Sequence, residues 1–82
     1  MNDIIYQTRA LRQLRKIHEE KEIRSKIDTL KDFPNCRNVK HLTNHEYSYR
    51  LRVGNYRVFF EFDGTINIIS IEEVRKRNER TY

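Results

Sequence analysis

The apolar residues between Tyr47 and Ile71 recur at every second position, which is the period of a β-strand. Between Thr8 and Asp32 there is no glycine or proline, and the apolar residues follow the spacing of an α-helix. Helices followed by a run of strands predict an α+β fold, in which the helices cover one face of a small, twisted antiparallel sheet. The length of 82 residues suits one small domain, and we assign residues 1–82 to it.

The predicted helical region carries two apolar stripes. The first consists of Ala10, Leu11, Leu14 and Ile17, and the second consists of Ile23, Ile27 and Leu30. A continuous helix would turn by about 600° between the two stripes, which would leave them roughly 120° apart. We therefore predict a hairpin of two helices with a break near residues 18–21, and the alternative is one bent helix. Thr8 is the expected N-cap, and residues 2–6 are predicted to form a first strand.

Two hairpins are predicted in the strand region. Gly54-Asn55 suits the two-residue loop of the first hairpin, and Asp63-Gly64 marks the second. For the second hairpin we predict a three-residue loop, because this register puts Ile66 and Ile68 beside the core aromatics.

The segments around these hairpins differ in character. Residues 65–71 are apolar on both faces, so we predict that they form a central strand. Residues 35–46 are mostly polar and are predicted to form a loop. The residues from Glu72 onward are expected to form a charged tail.

Arginines occupy one face of the first predicted hairpin. A two-residue loop places Arg52 directly opposite Arg57, with Arg50 further along the same face. Like charges placed opposite each other weaken a hairpin, so this arrangement calls for an explanation in terms of function. In the alternative, the arginines form a solvated strand face, and Arg57 pairs with Glu61 or with carboxylates of the tail. Tyr49 and Tyr56 point with the apolar set and are predicted to pack in the core.

The net charge of +5 favours a polyanionic partner or an acidic protein partner. Cys36 is the only cysteine, so no intramolecular disulfide can form, and a lone thiol suits a reducing cytoplasm. There is no apolar run of a signal peptide or of a membrane span, which needs about 20 residues, so we expect a soluble, cytoplasmic protein. The histidines lack the spacing of zinc ligands, His18 and His41 are expected on the surface, and we expect no metal or cofactor.

The hairpin YRLRVGNYRVFF, the order of the elements and the basic C-terminal run VRKRNERTY resemble the RelE/ParE superfamily of toxins from type II toxin–antitoxin systems. The resemblance spans nearly the whole chain and is most specific from Val39 to Phe62. It implies a RelE-like fold and a cognate antitoxin protein as partner. RelE-type members are mRNA endonucleases that act in the ribosomal A site, so the ribosome with its mRNA is the second expected partner. Their reaction needs no metal and proceeds by attack of the RNA 2′-hydroxyl on the adjacent phosphorus.

The resemblance also implies roles for individual residues. Arg57 matches the arginine that contacts the scissile phosphate, and Tyr82 matches a C-terminal tyrosine that stacks on a base and exchanges a proton. For the catalytic arginine that precedes this tyrosine, an ungapped match falls on Lys76, which Arg75 and Arg77 flank; we choose Arg77, with Arg75 and Lys76 as the alternatives. The predicted catalytic residues are thus Arg52, Arg57, Arg77 and Tyr82, and the predicted RNA-binding residues are Lys40, Arg50, Arg52, Arg75 and Lys76.

This sequence departs from RelE at two residues that bear on the general base of the reaction. Arg50 and Arg52 stand where RelE has two lysines, and an arginine stays protonated where a lysine can act as a base. His45 and Glu46, just before the hairpin, are the candidates for this role, because related branches use a histidine or a glutamate. One alternative function is a ParE-like inhibitor of DNA gyrase without nuclease activity. Another is an inactivated relative that binds only RNA or an antitoxin.

Overall fold

A five-stranded sheet and two helices make up residues 1–77, the part of the chain that the computed structural model describes. The elements are β1 (Asp3–Tyr6), α1 (Thr8–Arg15), α2 (Glu20–Asp28), a 3-10 turn (Thr29–Asp32), β2 (Val39–His41), β3 (Tyr49–Val53), β4 (Tyr56–Asp63) and β5 (Ile68–Lys76). The strand order is β1-β5-β4-β3-β2, in which β1 runs parallel to β5 and the other neighbours are antiparallel. The predicted α+β class, with an N-terminal strand and two helices, is confirmed.

The helical region is divided where the two apolar stripes go out of phase. Helix α1 ends at Arg15 and α2 begins at Glu20, so the prediction of two helices is confirmed and the single bent helix is wrong. The predicted N-cap is wrong by one residue. Gln7 is the N-cap of α1 and makes no side-chain capping bond, and its side-chain NH₂ donates to Ser70 Oγ at 2.8 Å.

The hydrophobic core lies between the two helices and one face of the sheet. Its buried residues are Ala10, Leu14, Ile23, Ile27 and Leu30 from the helical region and Leu51, Val53, Val58, Phe60, Ile69, Ile71 and Val74 from the strands. Phe33 closes one end of this core, with edge-on contacts to Tyr49, Phe60 and Phe62 at centroid distances of 5.1, 5.6 and 5.0 Å. Tyr49 and Tyr56 pack against the core as predicted.

The second hairpin has a different register from the predicted one. Asp63 pairs with Ile68, so the loop holds the four residues between them, and the rings of Phe62 and Phe60 face Ile69 and Ile71. Ile66, predicted in the core, is 60% exposed. The longer loop is made possible by Asn67, which adopts a left-handed φ of 54°. The prediction that this strand is central is confirmed, because β5 lies between β1 and β4.

Two segments that were predicted to be irregular belong to the sheet. Strand β5 continues through the first part of the predicted charged tail to Lys76, and the predicted polar loop contains β2, which pairs Lys40 with Arg50. A bulge in β5 explains why the alternation was not visible in the sequence. Phe59 pairs with Glu73 and Phe60 pairs with Ile71, so Glu72 is an extra residue. The bulge turns Val74 into the core and Glu73 onto the opposite face of the sheet.

Candidate functional site

Four arginines converge on the face of the sheet that the helices leave open. Register places Arg52 opposite Arg57 and Arg50 opposite Phe59, and Arg77 follows directly after β5. Together they border a depression of about 330 Å³, which we call the arginine hollow. Its lining consists of Lys40, Leu42, His45, Arg50, Arg52, Gly54, Tyr56, Arg57, Phe59 and Arg77.

The hairpin turn between β3 and β4 determines which side chains reach the hollow. Gly54 has a φ of 55°, the left-handed conformation that a tight hairpin loop needs at its first central position. With this two-residue loop, Leu51 and Val53 enter the core, and the arginines that alternate with Leu51 and Val53 must point the other way. The backbone N–H of Arg77 donates to the carbonyl of Asn55, which brings the end of β5 beside the same turn.

The arginine hollow is cationic and is not neutralised from within the described chain. Among residues 1–77, none of the four arginines of the hollow forms an ion pair with a carboxylate. Glu61, the alternative partner of Arg57, instead accepts the backbone N–H of Ser48 at 2.9 Å. Burial, followed by the charges of Arg57, Arg52 and Arg77, lowers the pKa of the Arg50 guanidinium. Clustered guanidinium forks of this kind suit a phosphate, which they can bind through paired hydrogen bonds.

The residues at the end of β5 differ in their surroundings. Arg75 is held by Glu73 and Glu46, with nitrogen-to-oxygen distances of 2.8 Å to each, and its guanidinium lies 5.2 Å from the centre of the Phe59 ring. Lys76 pairs with Tyr56 and does not line the hollow, whereas Arg77 does. Of the three basic residues considered for one catalytic position, the structure therefore places only Arg77 with the other arginines. Tyr82 lies outside the described residues.

His45 and Glu46, the two candidates for the general base, also differ in placement. The Glu46 carboxylate is paired with Arg75 and does not line the hollow. His45 does line it, and its ring stacks on Phe59 with centroids 5.1 Å apart and planes at 19°. Its Nδ1 accepts the backbone N–H of Tyr47 at 3.1 Å. Because a backbone N–H only donates, a neutral His45 carries its proton on Nε2, and this nitrogen is then a hydrogen-bond donor.

Glu73 and Tyr47 were missed by sequence reasoning. Glu73 lies on the open face beside Phe59 and is only 8% exposed. It accepts the Tyr47 hydroxyl at 2.7 Å and two bonds from Arg75. Simple alternation from Ile71 predicts the opposite face for Glu73, and only the bulge, which leaves no mark in the residue pattern, reverses this.

In residues 1–77, no three side chains of histidine, cysteine, aspartate or glutamate come together in a way that could hold a metal ion. None of the helices in these residues is long and apolar enough to cross a membrane.

The sequence matches the model of one protein family over residues 4–81. This family is described as the ParE toxin of the type II toxin–antitoxin system parDE. No curated protein matches the sequence significantly.

Solved toxin structures share the fold. The archaeal RelE–RelB complex from Pyrococcus horikoshii contains a chain with a TM-score of 0.79 and 20% identity, covering 95% of this chain and 97% of that one. The isolated RelE toxin of E. coli also has a TM-score of 0.79, with 16% identity and coverage of 99% and 89%. The RelBE2 toxin–antitoxin complex of Mycobacterium tuberculosis gives a TM-score of 0.72, with 23% identity and coverage of 93% and 98%. At these identities the likeness shows a common fold.

Proposed function

The chain belongs to the ParE toxin family of type II toxin–antitoxin systems, within the RelE/ParE superfamily, and we propose that it is a toxin that cleaves mRNA on the ribosome. The observation that carries this proposal is the arginine hollow. Arg50, Arg52, Arg57 and Arg77 face one depression, and residues 1–77 place no carboxylate in its lining. A cationic depression of this kind suits the phosphodiester of a nucleic acid.

The proposed reaction is an internal transesterification of RNA. The 2′-hydroxyl attacks the neighbouring phosphorus and gives up its proton, the bond from phosphorus to the 5′-oxygen breaks, and the 5′-oxygen takes up a proton. The products end in a 2′,3′-cyclic phosphate and a 5′-hydroxyl. Negative charge grows on the phosphate oxygens in the transition state, so fixed cations aimed at these oxygens lower the barrier. Arg57 and Arg52 form the centre of the site, and Arg77 closes it from the side of β5. One such donor is worth about 3 kcal/mol of barrier.

The remaining polar residues of the hollow are assigned supporting roles. Lys40 lies opposite Arg50 at the edge of the sheet and binds a flanking phosphate of the RNA. His45 lines the hollow, and in its neutral form the proton is on Nε2. We therefore assign it as a hydrogen-bond donor to a phosphate oxygen and do not assign it as the general base. The predicted proton exchange by Tyr82 stays a prediction.

A cognate antitoxin is the proposed protein partner. Of the three solved structures named above, those from Pyrococcus horikoshii and Mycobacterium tuberculosis are complexes of a toxin with an antitoxin. The hollow offers an acidic antitoxin segment the same cationic surface that it offers RNA, and the net charge of +5 favours such a partner.

Inhibition of DNA gyrase is the second candidate function. It is favoured by the description of the matching family, which names the ParE toxin. Under this alternative the chain is a binding protein, and the arginines of the hollow contribute only to binding and do not take part in catalysis.

The two candidates are separated by one paired experiment. The purified protein is incubated with translating ribosomes, and the 5′ ends of the mRNA are mapped. In parallel, the same preparation is added to a gyrase supercoiling assay. New 5′ ends inside codons, with supercoiling unaffected, are the result that we expect. Intact mRNA together with arrested supercoiling would overturn the proposal in favour of gyrase inhibition.

A further inference from the structure

Glu73 lies at the centre of a polar cluster beside the arginine hollow. It is only 8% exposed and accepts hydrogen bonds from three side chains. The two Arg75 bonds measure 2.8 Å from Nε to Oε2 and 3.0 Å from Nη2 to Oε1. The Tyr47 hydroxyl lies 2.7 Å from Oε1, and Arg9 Nη1 lies 3.4 Å from the same oxygen. Both oxygens of the Glu73 carboxylate therefore accept hydrogen bonds. Through these bonds the carboxylate links helix α1, the segment before β3 and strand β5.

All three partners belong to, or contact, the loop that connects β2 and β3, residues 42–48, because Arg9 Nη1 also donates to the Tyr47 hydroxyl at 3.3 Å. Tyr47 is part of the loop, and Arg75 holds Glu46 of the same loop with a nitrogen-to-oxygen distance of 2.8 Å. The loop is closed at its base by the N–H of Leu42, which donates to the carbonyl of Ser48 at 2.8 Å. Glu73 thus holds the second half of this loop, whose ends are already joined.

His45 depends on the position of Tyr47. The Tyr47 backbone N–H donates to His45 Nδ1 at 3.1 Å, and both rings stack on Phe59, with centroids 5.4 Å from Tyr47 and 5.1 Å from His45. A displacement of Tyr47 therefore removes the hydrogen bond to Nδ1 that fixes the tautomer of His45. It also disturbs the stack that the Tyr47 and His45 rings form on Phe59. Glu73 does not line the hollow, so its link to His45 runs through Tyr47.

Only the ionised form of Glu73 can make this set of bonds. Hydrogen bonds from Arg75, with a further contribution from Tyr47, lower the pKa of Glu73 from 4.5 to about 2, against the effect of burial. A glutamine at this position has one acceptor oxygen and one NH₂ group, which would point two donors at the donors of Arg75 or Tyr47. The bonds to Tyr47 and Arg75 cannot all survive such a change.

We propose that Glu73 is a positioning residue, which holds the residue 42–48 loop through Tyr47 and Arg75 so that His45 presents Nε2–H to the arginine hollow. The proposal rests on the proposed mRNA cleavage for its consequence in catalysis, since His45 is there assigned to the phosphate. The tautomer of His45 is a consequence that does not depend on any activity.

The first arm of the test measures the tautomer by NMR. Long-range ¹H–¹⁵N correlation spectra of the wild-type protein, recorded above the pKa of a free imidazole of about 6.5, are expected to show His45 as the Nε2–H form alone. In Tyr47→Phe, which keeps the stacked ring and loses the hydroxyl, and in Glu73→Gln, a mixture of both tautomers is expected. Glu72→Gln is the matched control, because Glu72 is the neighbouring carboxylate and accepts the Ser70 hydroxyl instead.

The second arm measures cleavage of ribosome-bound mRNA at saturating toxin. Glu73→Gln and Tyr47→Phe are each expected to lower the rate constant about tenfold with unchanged half-saturation, because misplacement of a group costs rate more than affinity. The control variant should cleave as the wild type does. If both variants keep the wild-type tautomer and rate, the proposal is overturned. If the wild type cleaves no mRNA, the proposed function fails, and the tautomer spectra alone decide on Glu73.

Discussion

Arg52 and Arg57 lie directly opposite each other across the β3–β4 hairpin, on the face of the sheet that the helices leave open. Cross-strand neighbours have Cβ atoms about 5 Å apart, so two guanidinium groups at these positions repel each other. No carboxylate among residues 1–77 forms an ion pair with either of them. The protein therefore keeps an arrangement that weakens its own hairpin, as expected of a site that is completed by an anion.

Removing one of these charges should stabilise the free protein. We expect Arg57→Gln to raise the free energy of unfolding by about 0.5 kcal/mol, because it relieves a like-charge pair. Urea unfolding in a buffer without phosphate or sulfate measures this. Arg37→Gln, which removes an exposed arginine outside the hollow, is the control and should leave stability unchanged. A loss of stability in Arg57→Gln would mean that Arg57 serves the fold.

Arg77 and Lys76 are adjacent in sequence, but only Arg77 lines the hollow. We expect Arg77→Gln to lower the rate of mRNA cleavage about a hundredfold, because one cation aimed at the transition state is lost. Lys76→Gln should lower it only about twofold, since solvent and salt screen a charge outside the hollow. The comparison is made at saturating toxin on translating ribosomes. Equal losses of cleavage rate in the two variants would contradict a specific role for Arg77. They would indicate that the basic residues at the end of β5 contribute only through their total charge.

Substitutions at Gly54 test the tight turn between β3 and β4, which determines the face on which the arginines lie. The φ of 55° at Gly54 is strained for a residue with a side chain, although a Cβ there would meet no atom within 4 Å. We expect Gly54→Val to cost about 1–2 kcal/mol of unfolding free energy through the backbone alone. Gly54→Asn should cost less than half as much, because asparagine tolerates the left-handed conformation. Thermal unfolding measures both variants, and equal costs for the two would contradict this explanation.

The lowered pKa of Glu73 makes the free energy of unfolding depend on pH. Its folded pKa of about 2 lies below the ordinary 4.5, so the carboxylate adds stability that is fully present above pH 4.5 and is lost as the pH falls towards 2. The difference corresponds to roughly 3 kcal/mol. Urea unfolding from neutral pH down to about pH 2.5 should show this loss in the wild type and a flatter profile in Glu73→Gln. The profile of Glu72→Gln should follow the wild type. A steep acid loss that persists in Glu73→Gln would place its origin elsewhere.

The spacing of apolar residues was enough to predict those parts of the fold in which apolar residues are buried and polar residues are exposed. The phase change between Ile17 and Ile23 located the helix break, and the alternation around Gly54 gave the first hairpin its correct register. The same alternation places Arg50, Arg52 and Arg57 on one open face of the sheet. These features follow from local rules, since each one depends on neighbours within a few residues.

The features that sequence reasoning missed depend on contacts between distant residues. The four-residue loop before β5 and the bulge at Glu72 shift the register of the last strand, and neither follows from the hydrophobic pattern. As a result, Glu73 was assigned to a charged tail, although it is nearly buried beside Phe59. The joining of the residue 42–48 loop to β5 through Tyr47 involves partners 26 residues apart, which no local pattern records.

The most direct measurement of the central claim is the single-turnover rate of mRNA cleavage on programmed ribosomes by wild type and Arg57→Gln, with Arg37→Gln as control. If the arginine hollow stabilises the phosphate in the transition state, Arg57→Gln should remain folded and cleave at least about a hundredfold more slowly, while the control cleaves at the wild-type rate. Cleavage by folded Arg57→Gln at the rate of the wild type would contradict the claim that the hollow is the catalytic site.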